Sequence, residues 1–294
     1  MLSAAVLMML SSMLCSLRLS GGSFPKPLSA KEERYYLERA AQGDLEARET
    51  LAASLTRRFG MEYKADDLYI TVGAAAGLCC CFRALACPGD EFLLLAPYFT
   101  EYDIFIRENG GTPVVVPPDY ATFQPDLQAL EAAITPRTKA ILLNNPSNPT
   151  GMMYDREELE AIAAVCTQAD IYVISDEIYA CLAYDGRTFT SFASLSADAK
   201  ERTILVNGVS KAYAMTGWRI GYACANDVIA KVMANYVSHS TGSPVAISQR
   251  AAAVALSGSQ AEIETMRQAF EQRRNYIVER MNAIPGVSCI MPEG

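Results

Sequence analysis

Lys211 and Arg219 lie eight residues apart in the segment 208–221, which has the sequence GVSKAYAMTGWRIG. A lysine attacks a carbonyl to form a Schiff base when partial desolvation keeps its amine neutral, and the neighbours of Lys211 are small or apolar. The guanidinium of Arg219 is suited to a bidentate grip on a phosphate, and Gly217 and Gly221 allow the backbone to approach a ligand closely. Taken alone, the segment would favour a surface lysine ahead of an amphipathic helix.

Asp176 follows an apolar run at residues 171–175, and Tyr179 comes three positions later. A carboxylate at the end of a strand, in a dry pocket, can keep a ring nitrogen protonated and so make a pyridine ring an electron sink. The phenol of Tyr179 would then bond to a ring hydroxyl. The alternative for an acidic residue after a strand is a helix N-cap.

Asn148 lies in the loop 144–151, which has the sequence NNPSNPTG and directly follows another apolar run. Two prolines and a glycine restrict the backbone, so the loop can present the Asn148 amide in one orientation. Open α/β sheets bind ligands at the carboxyl ends of their strands, where this loop is predicted to lie. An ordinary tight loop is the alternative.

The order and spacing of these three segments resemble the fold-type-I pyridoxal phosphate enzymes, specifically the aspartate aminotransferase superfamily of class I and II aminotransferases. Their counterparts in the family are the NPxNPTG loop, the strand-end D-x-x-Y and the S-K-x(7)-R motif. The resemblance covers residues 51–294 and implies pyridoxal 5'-phosphate as cofactor. It also implies a transaminase that moves an amino group from an L-amino acid to a 2-oxo acid.

The resemblance assigns catalytic roles to Lys211, Asp176 and Tyr179. Lys211 corresponds to the lysine that forms a Schiff base with the cofactor and later carries a proton, and Asp176 to the partner of the pyridinium nitrogen. Asn148 and Tyr179 correspond to the residues that bond the ring oxygen. The other cofactor-binding residues implied are Gly73, Ala74, Ala75, Ser210 and Arg219 at the phosphate and Tyr98 stacked on the ring. For Tyr98 a half-buried core tyrosine is the alternative.

The chain also departs from the family. Gly208 replaces a residue that usually carries a hydroxyl, and the phosphate loop at residues 74–76 is three alanines. Both changes remove hydrogen bonds to phosphate, so we expect weaker cofactor binding. The comparison further implies that the C-terminal part, with the arginine that binds the substrate carboxylate, and the N-terminal arm are missing.

The elements that must position these residues alternate between β-rich and helical patterns from residue 68 onward, which predicts a mostly parallel sheet covered on both faces. The resemblance makes this the α/β three-layer sandwich of the family's large domain, with a truncated small C-terminal domain. Seven strands are predicted at residues 68–72, 92–96, 112–116, 140–143, 171–175, 203–206 and 220–223. Helices are predicted at 75–85, 101–109, 126–134, 155–167, 225–237, 244–257 and 260–283.

Composition limits the other classes of function. The 294 residues are 51% hydrophobic and carry a formal net charge of −8, which disfavours a nucleic-acid-binding surface. His239 is the only histidine, so a multi-histidine metal site is excluded, and a helix-surface position is expected for it. The nine cysteines form no CxxC spacing, which indicates reduced thiols and a cytoplasmic location.

Residues 1–50 do not follow the alternation. They are predicted to be an apolar leader, without stable membrane insertion, and a helix near 34–41 that ends in a turn at Gly43-Asp44. Residues 24–48 resemble the N-terminus of a sporulation-type RNA polymerase sigma factor, so we expect a chimeric join near residues 48–51. The large domain would then span 51–284 and the start of the small domain 285–294.

Three interpretations of function stay open from the sequence. The first is the aminotransferase, expected to be a homodimer if its fold is complete. The second is a pyridoxal-phosphate-dependent carbon-sulfur β-lyase, and the third is a non-catalytic chimeric or truncated fragment.

Overall fold

A computed structural model describes the backbone of residues 30–294 and the side chains of residues 45–294. The chain divides into two compact units, Met1–Ala41 and Gln42–Gly294. In the first unit only the helical backbone of residues 30–41 is described, so the predicted apolar leader lies outside the described residues. No helix in the described part is long and apolar enough to cross a membrane.

Strands and helices alternate along most of the second unit. The strands are β1 (Leu68–Thr71), β2 (Glu91–Leu95), β3 (Thr112–Val116), β4 (Thr138–Asn144), β5 (Tyr172–Asp176), β6 (Thr203–Gly208) and β7 (Gly221–Cys224). The α-helices are α1 (Ala30–Phe59), α2 (Ala74–Leu85), α3 (Glu101–Glu108), α4 (Leu127–Ala133), α5 (Arg156–Ala169), α6 (Ala197–Arg202), α7 (Asp227–Ser240), α8 (Ala246–Ser257) and α9 (Ala261–Asn282).

The seven strands form one sheet in the order β1-β7-β6-β5-β4-β2-β3. Strands β2 to β6 pair in parallel, whereas β7 runs antiparallel to both β6 and β1. Asn144 at the end of β4 pairs with Asp176 at the end of β5, and Asp176 pairs with Val206 near the end of β6. The polar loops that follow these three strands therefore start side by side at one edge of the sheet.

Apolar side chains cover both faces of the sheet. Phe92 and Leu94 of β2 point into a core with α2, α3 and α7, whereas Leu93 and Leu95 point into a core with α4, α5 and α6. A further cluster joins α1 and α8 to β1, β6 and β7. Because successive residues of a strand face opposite sides, this double burial makes the strands nearly continuous apolar runs. The predicted three-layer α/β sandwich with a seven-stranded, mostly parallel sheet is confirmed.

All seven predicted strands are confirmed, and so are the helices predicted at seven places beyond residue 68. The short helix α6, which Ser196 caps by accepting a hydrogen bond from the Ala199 amide, was not predicted. The turn predicted at Gly43-Asp44 is wrong, because α1 continues through both residues to Phe59.

A single glycine costs a helix about 1 kcal/mol relative to alanine. In α1 that cost is outweighed by burial of Ala47, Leu51 and Leu55, which recur every four residues and so lie on one face. No helix or strand is present in residues 283–294, so the small domain predicted to start at 285 stays a prediction.

Candidate active site

Asp176 is the last residue of β5, and only 5% of its surface is exposed. Its Oδ2 accepts a hydrogen bond of 2.7 Å from the Tyr102 hydroxyl, and its Oδ1 accepts one of 3.2 Å from the Ile178 amide. Burial raises the pKa of Asp176 to about 6, while these two hydrogen bonds and the charge of Lys211 act in the opposite direction. The carboxylate is therefore held in one orientation in a dry setting.

The Asn148 loop is tied to the ends of β4 and β5. Asn144 donates from Nδ2 to the backbone oxygen of Asp176 at 3.0 Å, and its Oδ1 accepts from the backbone N–H of Asn148 at 2.7 Å. The Asn148 side chain in turn bonds the Tyr179 hydroxyl. Burial and then the negative charge of Asp176 raise the pKa of Tyr179, which the bond from Asn148 partly offsets. The structure thus brings Asn148 together with Tyr179 and Asp176, two segments that were predicted separately.

Lys211 lies three residues beyond the end of β6, and its Nζ is 5.6 Å from the centre of the Tyr179 ring. The partial burial expected from its apolar neighbours is not observed, because Lys211 is exposed. Ala212 is buried and Tyr213 half-buried, so these neighbours point into the protein while the lysine points into an open cavity. Apolar neighbours in sequence are thus a poor guide to the desolvation of a side chain in a turn.

The N-terminus of α2 and Arg219 form a positively polarised corner of the site. Gly73 precedes the helix with φ 84°, and a Cβ added to it would lie 2.5 Å from Nη2 of Arg219. A Cβ on Gly221 would lie 2.4 Å from the Ala74 nitrogen, so β7 approaches this turn as closely as glycine allows. Arg219 also donates to the Thr216 carbonyl at 3.1 Å. Free amides at a helix end beside a guanidinium suit a phosphate.

These groups line one cavity of about 300 Å³. Its walls are formed by the ends of β4 and β5, by residues from the turns after β2, β4, β5 and β6, and by parts of α2 and α3. The lining residues are Ala74, Ala75, Leu78, Phe99, Glu101, Tyr102, Asn144, Asn148, Asp176, Ile178, Tyr179, Ser210, Lys211, Thr216 and Arg219. Of the predicted site residues, only Gly73 and Tyr98 are not among them, and Gly73 lies directly beside Arg219.

Tyr98 is half-buried against the core shared by α2 and α3, and it does not line the cavity. Its neighbour Phe99 does, and the Phe99 ring packs edge-on against Tyr102 at 5.5 Å between centroids. Adjacent residues of this turn point in different directions, so only one of the two rings reaches the cavity. The geometry favours Phe99 over Tyr98 as the aromatic residue beside a bound ring.

Tyr102 and Asn144 belong to the site but were not selected from the sequence. Tyr102 lies in α3, far from Asp176 along the chain, and nothing in the sequence links the two residues. Asn144 offers a weak indication, because it closes an apolar strand immediately before the Asn-Pro pair. Its role as the link between two loops depends on the pairing of β4 with β5.

The donors and acceptors around the cavity fit pyridoxal 5'-phosphate. A buried carboxylate with a raised pKa, Asp176, suits a ring nitrogen that must carry a proton. Asn148 and Tyr179 can bond a ring oxygen, Lys211 offers an amine, and the absence of a Cβ at Gly73 lets the Arg219 guanidinium lie against the N-terminus of α2, where both can bind a phosphate.

Comparisons with known proteins identify the family and the fold. The family described as "Aminotransferase class I and II" matches residues 34–294. The aspartate aminotransferase of Geobacillus stearothermophilus is 43% identical over 248 residues, which cover 84% of this chain and 63% of the relative. That of Bacillus subtilis is 42% identical over 253 residues, covering 86% of this chain and 64% of the relative.

A solved structure, the aspartate aminotransferase from Rhizobium meliloti, has a TM-score of 0.83 and 35% sequence identity. The match covers 93% of this chain and 72% of that one. Of the Geobacillus stearothermophilus and Bacillus subtilis relatives, by contrast, the chain spans a little under two thirds of the length. The family match begins at residue 34, inside the segment 1–50 that was predicted to be separate. The match does not test the sigma-factor resemblance of that segment or the predicted domain limits, which stay predictions.

Proposed function

The chain belongs to the class I and II aminotransferase family, and from that premise we propose that it binds pyridoxal 5'-phosphate and transfers an amino group from an L-amino acid to a 2-oxo acid. The observation that carries the proposal is the convergence of Asp176, Lys211 and Arg219 on one cavity of about 300 Å³. Two segments of the chain supply a carboxylate, an amine and a guanidinium to the same cavity, and these are the groups that one cofactor molecule requires.

The cofactor, when bound, supplies an electron sink that makes loss of the substrate's α-proton feasible near neutral pH. Asp176 would stabilise the positive charge of a protonated ring nitrogen. Asn148 and Tyr179 would bond the ring oxygen, with Phe99 beside the ring. Arg219, Ser210 and the amides of Ala74 and Ala75 would hold the phosphate. Lys211 would supply the amine that holds the cofactor and the base that moves a proton at the substrate α-carbon.

The names of the relatives suggest the first substrate to test. Several are aspartate aminotransferases, and one from Streptococcus mutans, 38% identical, is an asparagine–oxo-acid transaminase. We therefore propose L-aspartate as the first amino donor to examine and 2-oxoglutarate as the acceptor.

We also propose a homodimer located in the cytoplasm. Val228, Val232 and Tyr236 recur every four residues on α7 and are all exposed, so they form an apolar stripe that a second copy can cover. The eight described cysteines are free, which suits a reducing compartment. Light scattering after size-exclusion chromatography measures the oligomeric state, and a monomer at micromolar concentration would contradict the proposed homodimer.

The decisive experiment is spectral. Purified protein with pyridoxal phosphate is expected to show a visible absorption band that changes when L-aspartate is added and returns with 2-oxoglutarate. Lys211→Ala should abolish both changes, whereas Lys231→Ala, which removes an exposed lysine on α7, should abolish neither. An unchanged spectrum at saturating cofactor would refute the proposal. Release of pyruvate and ammonia from a cysteine conjugate, without any 2-oxo acid, would identify a β-lyase instead. No observation favours the β-lyase or the non-catalytic fragment over the aminotransferase.

A further inference from the structure

Arg58, near the end of α1, lies behind the two turns that carry Lys211 and Tyr179. Its Nη1 donates to the Cys181 sulfur at 3.1 Å, and its Nη2 donates to the Tyr213 hydroxyl at 2.6 Å. Cys181 follows Tyr179 by two residues, and Tyr213 follows Lys211 by two. One guanidinium thus bridges both turns through residues that do not line the cavity.

Each turn is tight enough to transmit this contact to the residue that faces the cavity. In the first, the Leu182 amide donates to the Tyr179 carbonyl at 2.8 Å. In the second, the Ala214 amide donates to the Lys211 carbonyl at 3.3 Å. A shift of the contacted side chain therefore moves the backbone of the active residue. The pairing of β6 with β7 reaches Gly208, and the last backbone contact between the two strands is donated by the Val209 amide to the Ile220 carbonyl at 3.2 Å, two residues before Lys211. The pairing of β5 with β6 ends at Asp176, three residues before Tyr179.

The guanidinium is itself held by further contacts. The Gln260 side-chain oxygen accepts from both Arg58 and the Tyr213 hydroxyl, the latter at 2.9 Å, while the Gln260 amide nitrogen donates to the Gly258 carbonyl at 2.7 Å. The guanidinium carbon also lies 5.3 Å from the centre of the Tyr213 ring. Within residues 45–294 Arg58 makes no ion pair with a carboxylate, and its polar contacts are with neutral groups. Such contacts determine position and contribute little long-range attraction.

We propose that Arg58 is a positioning residue, which sets the distance between the Lys211 amine and the Tyr179 ring by clamping the turns behind them. The proposal rests on the proposed function, since it concerns the same amine. It assigns to α1, which lies outside the cavity, a part in the geometry of the site. An arginine suits this role because its planar fork reaches two acceptors at fixed angles, which a lysine cannot do.

The first test is chemical attachment, measured without turnover. Borohydride fixes pyridoxal phosphate to the lysine with which it has formed a Schiff base, and mass spectrometry then counts modified Lys211 over time. We expect Arg58→Met to slow this attachment by about tenfold, because displacements of about 1 Å at a reacting group can cost up to about a hundredfold in rate. Arg58→Lys should restore thermal stability but not the attachment rate. Arg57→Met is the matched control, since Arg57 bonds only the Leu256 carbonyl among the described residues.

A second variant covers the case in which Arg58→Met does not fold. Tyr213→Phe removes one hydroxyl from the clamp and keeps the ring, and we expect attachment about threefold slower, by loss of a single positioning contact. If both variants act through one clamp, the double variant should be no more than twofold slower than Arg58→Met. With substrate, kcat should fall while KM stays within twofold.

Two results would overturn the proposal. One is an Arg58→Met protein whose attachment rate equals that of Arg57→Met. The other is a double variant in which the two rate losses multiply as independent effects do. Failure of the proposed function is distinct from both, because unmodified Lys211 in the wild-type protein would already reveal it.

Discussion

Replacing Tyr102 by phenylalanine tests the electrostatics of Asp176 directly. Tyr102 is 1% exposed, and its hydroxyl gives Asp176 a hydrogen bond of 2.7 Å. A hydrogen bond to a charged group is worth about 1.5–3 kcal/mol, and one to a neutral group about 1 kcal/mol. This difference stabilises the charged carboxylate. Removing the Tyr102 hydroxyl should therefore raise the pKa of Asp176, which is about 6, by roughly one unit.

The sign of the effect on stability follows from that direction. Because the pKa of Asp176 in the folded protein lies above its ordinary value of 3.8, protonation favours the folded state. This stabilisation is complete below pH 3.8 and is lost as the pH rises through 6. In the variant the pKa of Asp176 is expected near 7, so the stabilisation from protonation is lost over a wider pH range. Tyr102→Phe should therefore lower the unfolding free energy by about 1.4 kcal/mol more at pH 8.5 than at pH 5.

The assay is urea unfolding of the cofactor-free protein at both pH values. Tyr69→Phe is the matched control, since Tyr69 is also buried in the core beside α2 and its hydroxyl contacts the sulfur of Met233 and no carboxylate. Its cost should be the same at pH 5 and pH 8.5. An equal cost of Tyr102→Phe at the two pH values would refute the coupling between Tyr102 and Asp176. The affinity for pyridoxal phosphate should also fall more steeply in this variant below pH 7.

Two further predictions concern close approach and the buried arginine of α9. Gly221→Ala would place a Cβ 2.3 Å from the Gly73 carbonyl carbon, so we expect a loss of about 1–3 kcal/mol in unfolding free energy and weaker cofactor binding by titration. Gly217→Ala meets nothing within 4 Å and should change neither, and equal losses would contradict the argument. Arg274 is 7% exposed and donates to both carboxylate oxygens of Asp185, at 2.6 and 2.7 Å. Because Asp185 is half-exposed and the pair is therefore partly screened by solvent, we expect Arg274→Ala to lower the unfolding free energy by about 1–2 kcal/mol at pH 7. Arg274 lowers the pKa of Asp185, so this stability is present above pH 3.8 and lost below it, and a cost that does not shrink at pH 3 in urea unfolding would contradict the pairing.

Much of the fold could be predicted because its rules are local. The strands β2, β4, β5 and β6 are buried on both faces and therefore appear as continuous apolar runs, and the turns between them carry glycine and proline. The turn predicted at Gly43-Asp44 failed because a local preference of about 1 kcal/mol competes with burial of Ala47, Leu51 and Leu55, which is a tertiary effect.

The types of the chemical groups and the loops that carry them were determined by the sequence alone. Asp176 ends a strand, Asn148 and Lys211 follow strands, and strands that run parallel bring their ends to one edge, so it was predictable that these three residues would lie at the same edge of the sheet.

Only the tertiary structure decided which atoms meet. It placed Phe99, and not Tyr98, in the lining of the cavity, because the direction of a side chain in a turn depends on backbone angles that residue type does not specify. It brought Tyr102 to Asp176 across 74 residues and Arg58 to Tyr213 across 155, contacts that depend on how helices pack on a sheet. It also left Lys211 exposed, because solvent access is a property of the surrounding surface and not of the neighbours in sequence.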